Sequence, residues 1–226
     1  MAVDPSYTLV HGYLCSLYAK LGRFNEAVAA GEQALRLDPN LLWVHSNLGA
    51  AYLESGRPEK ALAELKQAIA LDPHDPVAHY NLGVVYSTLG RNEEAIEEGK
   101  TAVALDPQYI AAHVNLCADY VRKGRSDDAV VECRKALAID PSTVVAYVNL
   151  GQAYYLKGLA TEALQAYQAV ADLDPNQAPA HFWLGRLYFE RGQYELAMTH
   201  ADRAQELGLS APELTQLFEM LKPYRK

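Results

Sequence analysis

An all-α array of six repeated helical hairpins, closed by a C-terminal capping helix, is the fold this sequence predicts, on three observations. The first is a period: Pro39, Pro73, Pro107, Pro141 and Pro175 lie 34 residues apart, each preceded by an aspartate, Asp38, Asp72, Asp106, Asp140 and Asp174. A fixed spacing of this length marks a stacked repeat architecture. The second is what aligns when the chain is laid out as units 8–41, 42–75, 76–109, 110–143, 144–177 and 178–211. Column seven is Leu14, Leu48, Leu82, Leu116, Leu150 and Leu184, and column eleven is Tyr18, Tyr52, Tyr86, Tyr120, Tyr154 and Tyr188. The third is a column of small residues at each expected turn: Gly22, Gly56, Gly90, Gly124, Gly158 and Gly192.

Each column has a physical reading. Leu and Tyr at columns seven and eleven are i and i+4 neighbours on one helical stripe, which defines a helix A. The small residue after the Leu (Cys15, Gly49, Gly83, Cys117, Gly151, Gly185) lets a second helix approach closely. The Gly column falls where helix A must stop, since glycine enters the left-handed region without a Cβ penalty. Helix B then shows Ala27, Ala61, Ala95, Ala129, Ala163 and Ala197 at column twenty, and mostly Ala again at column twenty-seven. Those positions are seven apart and share one face. Proline removes a backbone donor and restricts the residue before it, so Asp-Pro ends helix B, with the Asp either capping the next helix or bending the chain toward it.

At the C-terminal end, Ser210-Ala211-Pro212-Glu213 reads as a helix start with Ser210 as cap. Leu214, Leu217, Phe218 and Leu221 follow as an apolar stripe, so 212–226 is a capping helix and tail over the last unit. At the other end, Asp4-Pro5 is in phase with the repeat, and residues 1–7 read as the tail of a preceding unit.

These columns resemble the tetratricopeptide repeat family over residues 8 to 211. The resemblance implies a right-handed superhelical solenoid with helix A lining the concave wall. Two columns depart from the family pattern. The fourth carries His11, His45, His79, His113 and His181, with Tyr147 once; the twenty-fourth carries Gly31, Leu65, Gly99, Cys133, Tyr167 and Ala201. A glycine inside a helix costs about 1 kcal/mol relative to alanine. Units one and three are therefore either looser or filled by a neighbour's bulky side chain.

Composition excludes several functions. Half of the 226 residues are hydrophobic, enough for a sizeable core. A balance of 20 basic against 28 acidic residues, net charge -8, argues against binding nucleic acid through a broad basic face. No apolar run approaches the roughly 18 residues that span a bilayer, so membrane insertion is not expected. Without an export signal in the sequence, a cytoplasmic location is the expectation. Cys15, Cys117 and Cys133 form no CxxC pair or zinc-ligand spacing. His11 with Cys15 and His113 with Cys117 have i, i+4 spacing, but column four packs in the core, so no metal is expected. The cluster Glu93, Glu94, Glu97, Glu98 reads as a solvated outer face at a helix start. No GxxxxGK(S/T), HExxH or GxSxG motif is present, so neither catalysis nor a cofactor is expected.

Function is therefore sought on helix A. Column six reads Tyr13, Asn47, Asn81, Asn115, Asn149 and Trp183. Asparagine is a poor helix former because its amide competes for backbone hydrogen bonds, so four in register need a cause. An amide both donates and accepts, which suits it to the backbone of an extended peptide of any sequence. This column resembles the asparagine ladder in the repeat region of O-linked N-acetylglucosamine transferases. Around it, Tyr80, Val114, Val148 and Phe182 in column five, with Tyr155 and Phe189 in column twelve, make the wall more apolar toward the C-terminus. Arg122 and Arg186 are isolated basic groups suited to an acidic ligand residue. Column two (Leu9, Trp43, Val77, Ala111, Val145, Pro179) lacks the cations with which chaperone-binding members of the family hold a terminal carboxylate. The expected partner is a protein or peptide segment. The alternatives are a scaffold that self-associates through its array ends, and the substrate-selecting arm of a larger enzyme such as a glycosyltransferase.

Overall fold

A computed structural model describes residues 5–225, with side chains from Tyr7 onward. The chain divides into two compact units, residues 1–119 and 120–226. The first holds α1 (Pro5–Lys20), α2 (Phe24–Leu37), α3 (Leu42–Glu54), α4 (Pro58–Leu71), α5 (Pro76–Thr88) and α6 (Asn92–Leu105). Helix α7 (Ile110–Arg122) spans the division. The second unit continues with α8 (Ser126–Ile139), α9 (Val144–Leu156), α10 (Ala160–Leu173), α11 (Ala178–Glu190), α12 (Tyr194–Glu206), α13 (Pro212–Leu221) and a 3₁₀ turn at Lys222–Tyr224. Among the described residues there is no strand, and the architecture is an all-α superhelical repeat.

Packing is most extensive within the hairpins α1/α2, α3/α4 and α5/α6 in the first unit, and α9/α10 and α11/α12 in the second. In the first unit α1 also packs on α3, and α3 on α5, so consecutive A helices form one wall. Residues 5–7, read as part of a preceding unit, form the first turn of α1; Asp4 lies outside the described residues. No helix of the described residues is long and apolar enough to cross a membrane.

The turn chemistry repeats with the sequence. All six column glycines have φ between 70° and 74°. The N–H after each donates to the carbonyl of the column-eleven Tyr, as in Arg23 to Tyr18 (2.9 Å) and Arg57 to Tyr52 (2.8 Å), a six-to-one closure that satisfies the helix end. Where that residue is Arg, its guanidinium lies over the same tyrosine ring: Arg23 on Tyr18, Arg57 on Tyr52, Arg91 on Tyr86, Arg125 on Tyr120. At the other turn, Oδ1 of Asp38, Asp72, Asp106, Asp140 and Asp174 accepts the N–H two residues on. These aspartates bend the chain rather than cap the next helix.

Columns eight and twenty-four are complementary within a hairpin. A Cβ on Gly49 would sit 2.6 Å from Leu65 Cγ, and one on Gly151 would sit 2.8 Å from Tyr167 Cζ. Gly31 and Gly99, the two glycines of column twenty-four, face Leu48 and Leu116 of the following helix A at 3.1 and 3.2 Å from the same notional Cβ. The neighbour's leucine therefore fills the gap, and the helices close up instead of loosening.

Column four is a buried strut. Nε2 of His45, His79, His113 and His181 donates to the carbonyl of the proline six residues earlier, at 2.8 to 3.2 Å. The other ring nitrogen reaches helix B: His45 Nδ1 to Glu64 (2.7 Å), His79 Nδ1 to Glu98 (2.6 Å), His181 Nδ1 to His200 Nδ1 (3.0 Å). Glu98 thus serves the core of its hairpin and is not part of a solvated outer face; Glu93, Glu94 and Glu97 are exposed. In the first hairpin Ala30 stands where the glutamate opposite Nδ1 would be, and His11 Nε2 is buried with no hydrogen-bond partner among the described residues.

The chain is closed by α13. Leu214, Leu217 and Leu221 are buried against Ala197, Ala201 and Ala204 of α12. Burying each leucine contributes about 1.5–3 kcal/mol. The N-cap residue is Ala211 in an extended conformation without a side-chain bond, so Ser210 does not cap this helix.

Candidate functional site

In the first unit, Asn47 on α3, Asn81 on α5 and Asn115 on α7 are all half-buried. The side-chain amides of Asn47 and Asn81 make no hydrogen bond to any described residue, though each sits inside a helix with its backbone bonds made. Asn115 lies beside the Tyr80 phenol. Tyr80 packs on Tyr109, ring centroids 5.0 Å apart. Burial raises the pKa of Tyr80, with the Asn115 amide opposing part of the rise. Burial pushes Tyr109 up to about 12, with Tyr80 and Asp75 adding to it. Both phenols therefore remain protonated donors at neutral pH.

Val114 does not line an open wall: it is 8% exposed. Column five lies where the core meets the surface, and Gly12 and Ser46 are buried there too, whereas the larger Tyr80 reaches out to half-exposure. At column two, Trp43 packs on Tyr13 at 5.3 Å and leaves no room for a Cβ on Gly12, while Leu9 and Val77 are exposed.

The second unit carries Asn149 and Val148, both half-buried on α9, and an aromatic group that column reading named only in part. Trp183 is its centre. Its ring meets Tyr155 at 4.8 Å and Phe182 at 5.5 Å, and stacks on the buried Tyr167 at 5.7 Å with an interplanar angle of 4°. Its place at the end of the asparagine column was the sequence signal. Arg186 is not isolated: Nε lies 3.2 Å from Glu190 Oε1, and the guanidinium sits over Tyr155 and Trp183. Tyr155 also donates to Glu190, at 3.2 Å. Arg122 is exposed at the C-terminal end of α7. Phe189 is half-buried against Tyr194, and with Phe182 borders a cleft of about 160 Å³ between α11 and α13.

What this geometry offers is recognition: amides and phenols on a wall of A helices in one unit, and an aromatic surface with one tethered cation in the other. That is a repeat protein of paired helices. A family model described as TPR repeat matches residues 16–56, 51–90 and 119–158, and two described as tetratricopeptide repeat match 155–217 and 76–109. The chain belongs to the tetratricopeptide repeat family, whose members mediate protein–protein interactions.

None of the curated proteins matches the chain. Among solved structures, MamA protein is similar at 28% identity over 78% of this chain and 96% of its own, with a TM-score of 0.66. PilF of Pseudomonas aeruginosa is 19% identical over 95% of this chain and 98% of its own, with a TM-score of 0.83. YrrB, described as a TPR protein with an unusual peptide-binding site, is 21% identical over 84% of this chain and 98% of its own, with a TM-score of 0.70. The likenesses to PilF and YrrB bear on fold alone.

Proposed function

We propose that this protein is a non-enzymatic module that binds an extended peptide segment along its A helices, with the asparagine column pairing to the guest's backbone. The observation that carries this reading is the state of Asn47 and Asn81. Each occupies a helix interior where asparagine is unfavourable, each is half-exposed, and neither amide is hydrogen-bonded to a described residue. An unused amide that both donates and accepts is matched to a peptide group. The exposed apolar column two suits an internal segment better than a chain end held by its carboxylate. The same fold carries a peptide-binding site in YrrB. The column's likeness to the ladder of O-linked N-acetylglucosamine transferases points the same way.

The test is retention of proteins from lysate by the immobilised chain and by N47A/N81A/N115A, with circular dichroism as the folding control. Three lost hydrogen bonds at about 1 kcal/mol each predict roughly a hundredfold weaker capture. Equal capture by a folded triple variant refutes the reading.

A second reading, self-association with a second copy through the array end, is favoured by the outer face of α1. Val10 and Leu17 are 50% and 51% exposed, whereas Val44, Ala78, Ala51 and Val85, at the same columns of the next two units, are at most 1% exposed. Concentration-dependent sedimentation abolished by L17E supports it; a strict monomer excludes it.

A further inference from the structure

We infer that the cleft between α11 and α13 is a specificity pocket that takes one large aliphatic or aromatic side chain of the guest peptide, with a Lys or Arg beside it. This inference rests on the peptide-binding reading and names what that peptide must contain.

The cleft measures about 160 Å³, room for a single large side chain. Phe182 and Phe189, two turns apart on α11, form one wall, and Leu217 and Met220 on α13 form the other. Its width is set by close approach of the two helices: a Cβ on Gly185 would stand 3.3 Å from Leu217 Cδ2, and Leu217 itself is buried. Met220 is 42% exposed, and its unbranched thioether adapts to guests of different shape. An apolar slot with one rigid aromatic wall and one adaptable wall selects for bulk rather than for a particular residue.

The rim supplies the second element. Arg186 is already committed to Glu190, which also accepts from Tyr155, so this pair adds no net charge. Glu213 is exposed and makes no ion pair with any described residue. The mouth therefore carries one carboxylate with no ion-pair partner among the described residues, and Gln216 beside it can donate to or accept from a peptide group. A guest whose anchor side chain is followed by Lys or Arg complements that charge; a guest with an acidic neighbour is repelled.

Fluorescence anisotropy on the full chain with three labelled Gly/Ser peptides tests this, their central dipeptides being Leu-Lys, Ala-Lys and Leu-Glu. Leu-Lys is expected to bind about tenfold or more tighter than Ala-Lys, from the methylenes the slot buries. Leu-Lys is also expected to bind tighter than Leu-Glu at low salt. Glu213→Lys should invert the order of Leu-Lys and Leu-Glu, and Met220→Asp should abolish the advantage of Leu over Ala while leaving helicity unchanged. Binding of all three peptides with equal affinity, or an order that E213K leaves intact, overturns the pocket and leaves the backbone-binding reading standing. Failure of all three to bind overturns both. A dimer dissolved by M220D identifies the occupant as a second copy and likewise overturns the proposal.

Discussion

Nδ1 of His181 lies 3.0 Å from Nδ1 of His200, where the second and third hairpins place a carboxylate opposite the equivalent histidine. Because the Pro175 carbonyl can only accept, His181 Nε2 carries a hydrogen and Nδ1 is left to accept from His200. Tyr188 also stacks on His200, at 5.4 Å. Burial first, and His181 second, hold the pKa of His200 below its ordinary value. The unfolded chain therefore takes up this proton more readily than the folded one. Stability present above the ordinary histidine range, near ~6.5, is lost as pH falls toward the folded value. Thermal melts at pH 7.5, 6.5 and 5.5 should show the last hairpin weakening with acid, and His200→Glu, which installs the partner used by His45 and His79, should flatten that dependence.

The complementarity of columns eight and twenty-four gives an energetic prediction. Gly49→Ala places a methyl 2.6 Å from Leu65 Cγ and should destabilise the first unit by about 1–3 kcal/mol. Leu65→Ala opens a cavity and should cost about 2–5 kcal/mol. In urea denaturation the double variant should cost less than the sum, because the new methyl occupies part of the space the leucine vacates. Additivity contradicts this packing.

Tyr167 is 1% exposed and its hydroxyl has no hydrogen-bond partner among the described residues. Burial raises its pKa, so the group stays a protonated, unpaired phenol. Removing an unsatisfied buried hydroxyl while keeping the ring against Trp183 should stabilise the protein, by about 1 kcal/mol within the range such groups cost. Urea denaturation of Tyr167→Phe measures it, and a loss of stability points to an unseen partner for the hydroxyl.

Cys15 is fully buried, and burial pushes its thiol up to about 11. A thiol in that state holds little thiolate at pH 8, so iodoacetamide should modify Cys15 only on unfolding. Peptide mapping after labelling in buffer and in urea checks this. Rapid modification of the folded chain places Cys15 at the surface and contradicts the packing of α1 on α2.

The hairpins were legible because a repeat writes each constraint six times: the Gly column alone marks all six turns. Pairings that cross a hairpin were less visible. Glu64 and Glu98 stand nineteen residues after His45 and His79, and that offset has meaning only once two antiparallel helices set it. Column identity does not say how far a side chain projects: at column five Tyr80 and Val148 are half-buried, whereas Val114 is buried. Arg186 and Glu190, at i and i+4, could have been paired from spacing alone. The cleft beside them had no sequence signal, since it depends on how closely α13 settles on α11 across Gly185.

The central claim is that asparagine amides hold a guest by its backbone. The direct measurement is calorimetry with a peptide recovered by capture and with copies N-methylated at successive peptide bonds. N-methylation at bonds facing Asn47 and Asn81 should weaken binding about five- to tenfold per bond, and the same copies should bind N47A/N81A no worse than the parent peptide does. N-methylated copies that bind the wild-type chain as tightly as the parent peptide contradict the account.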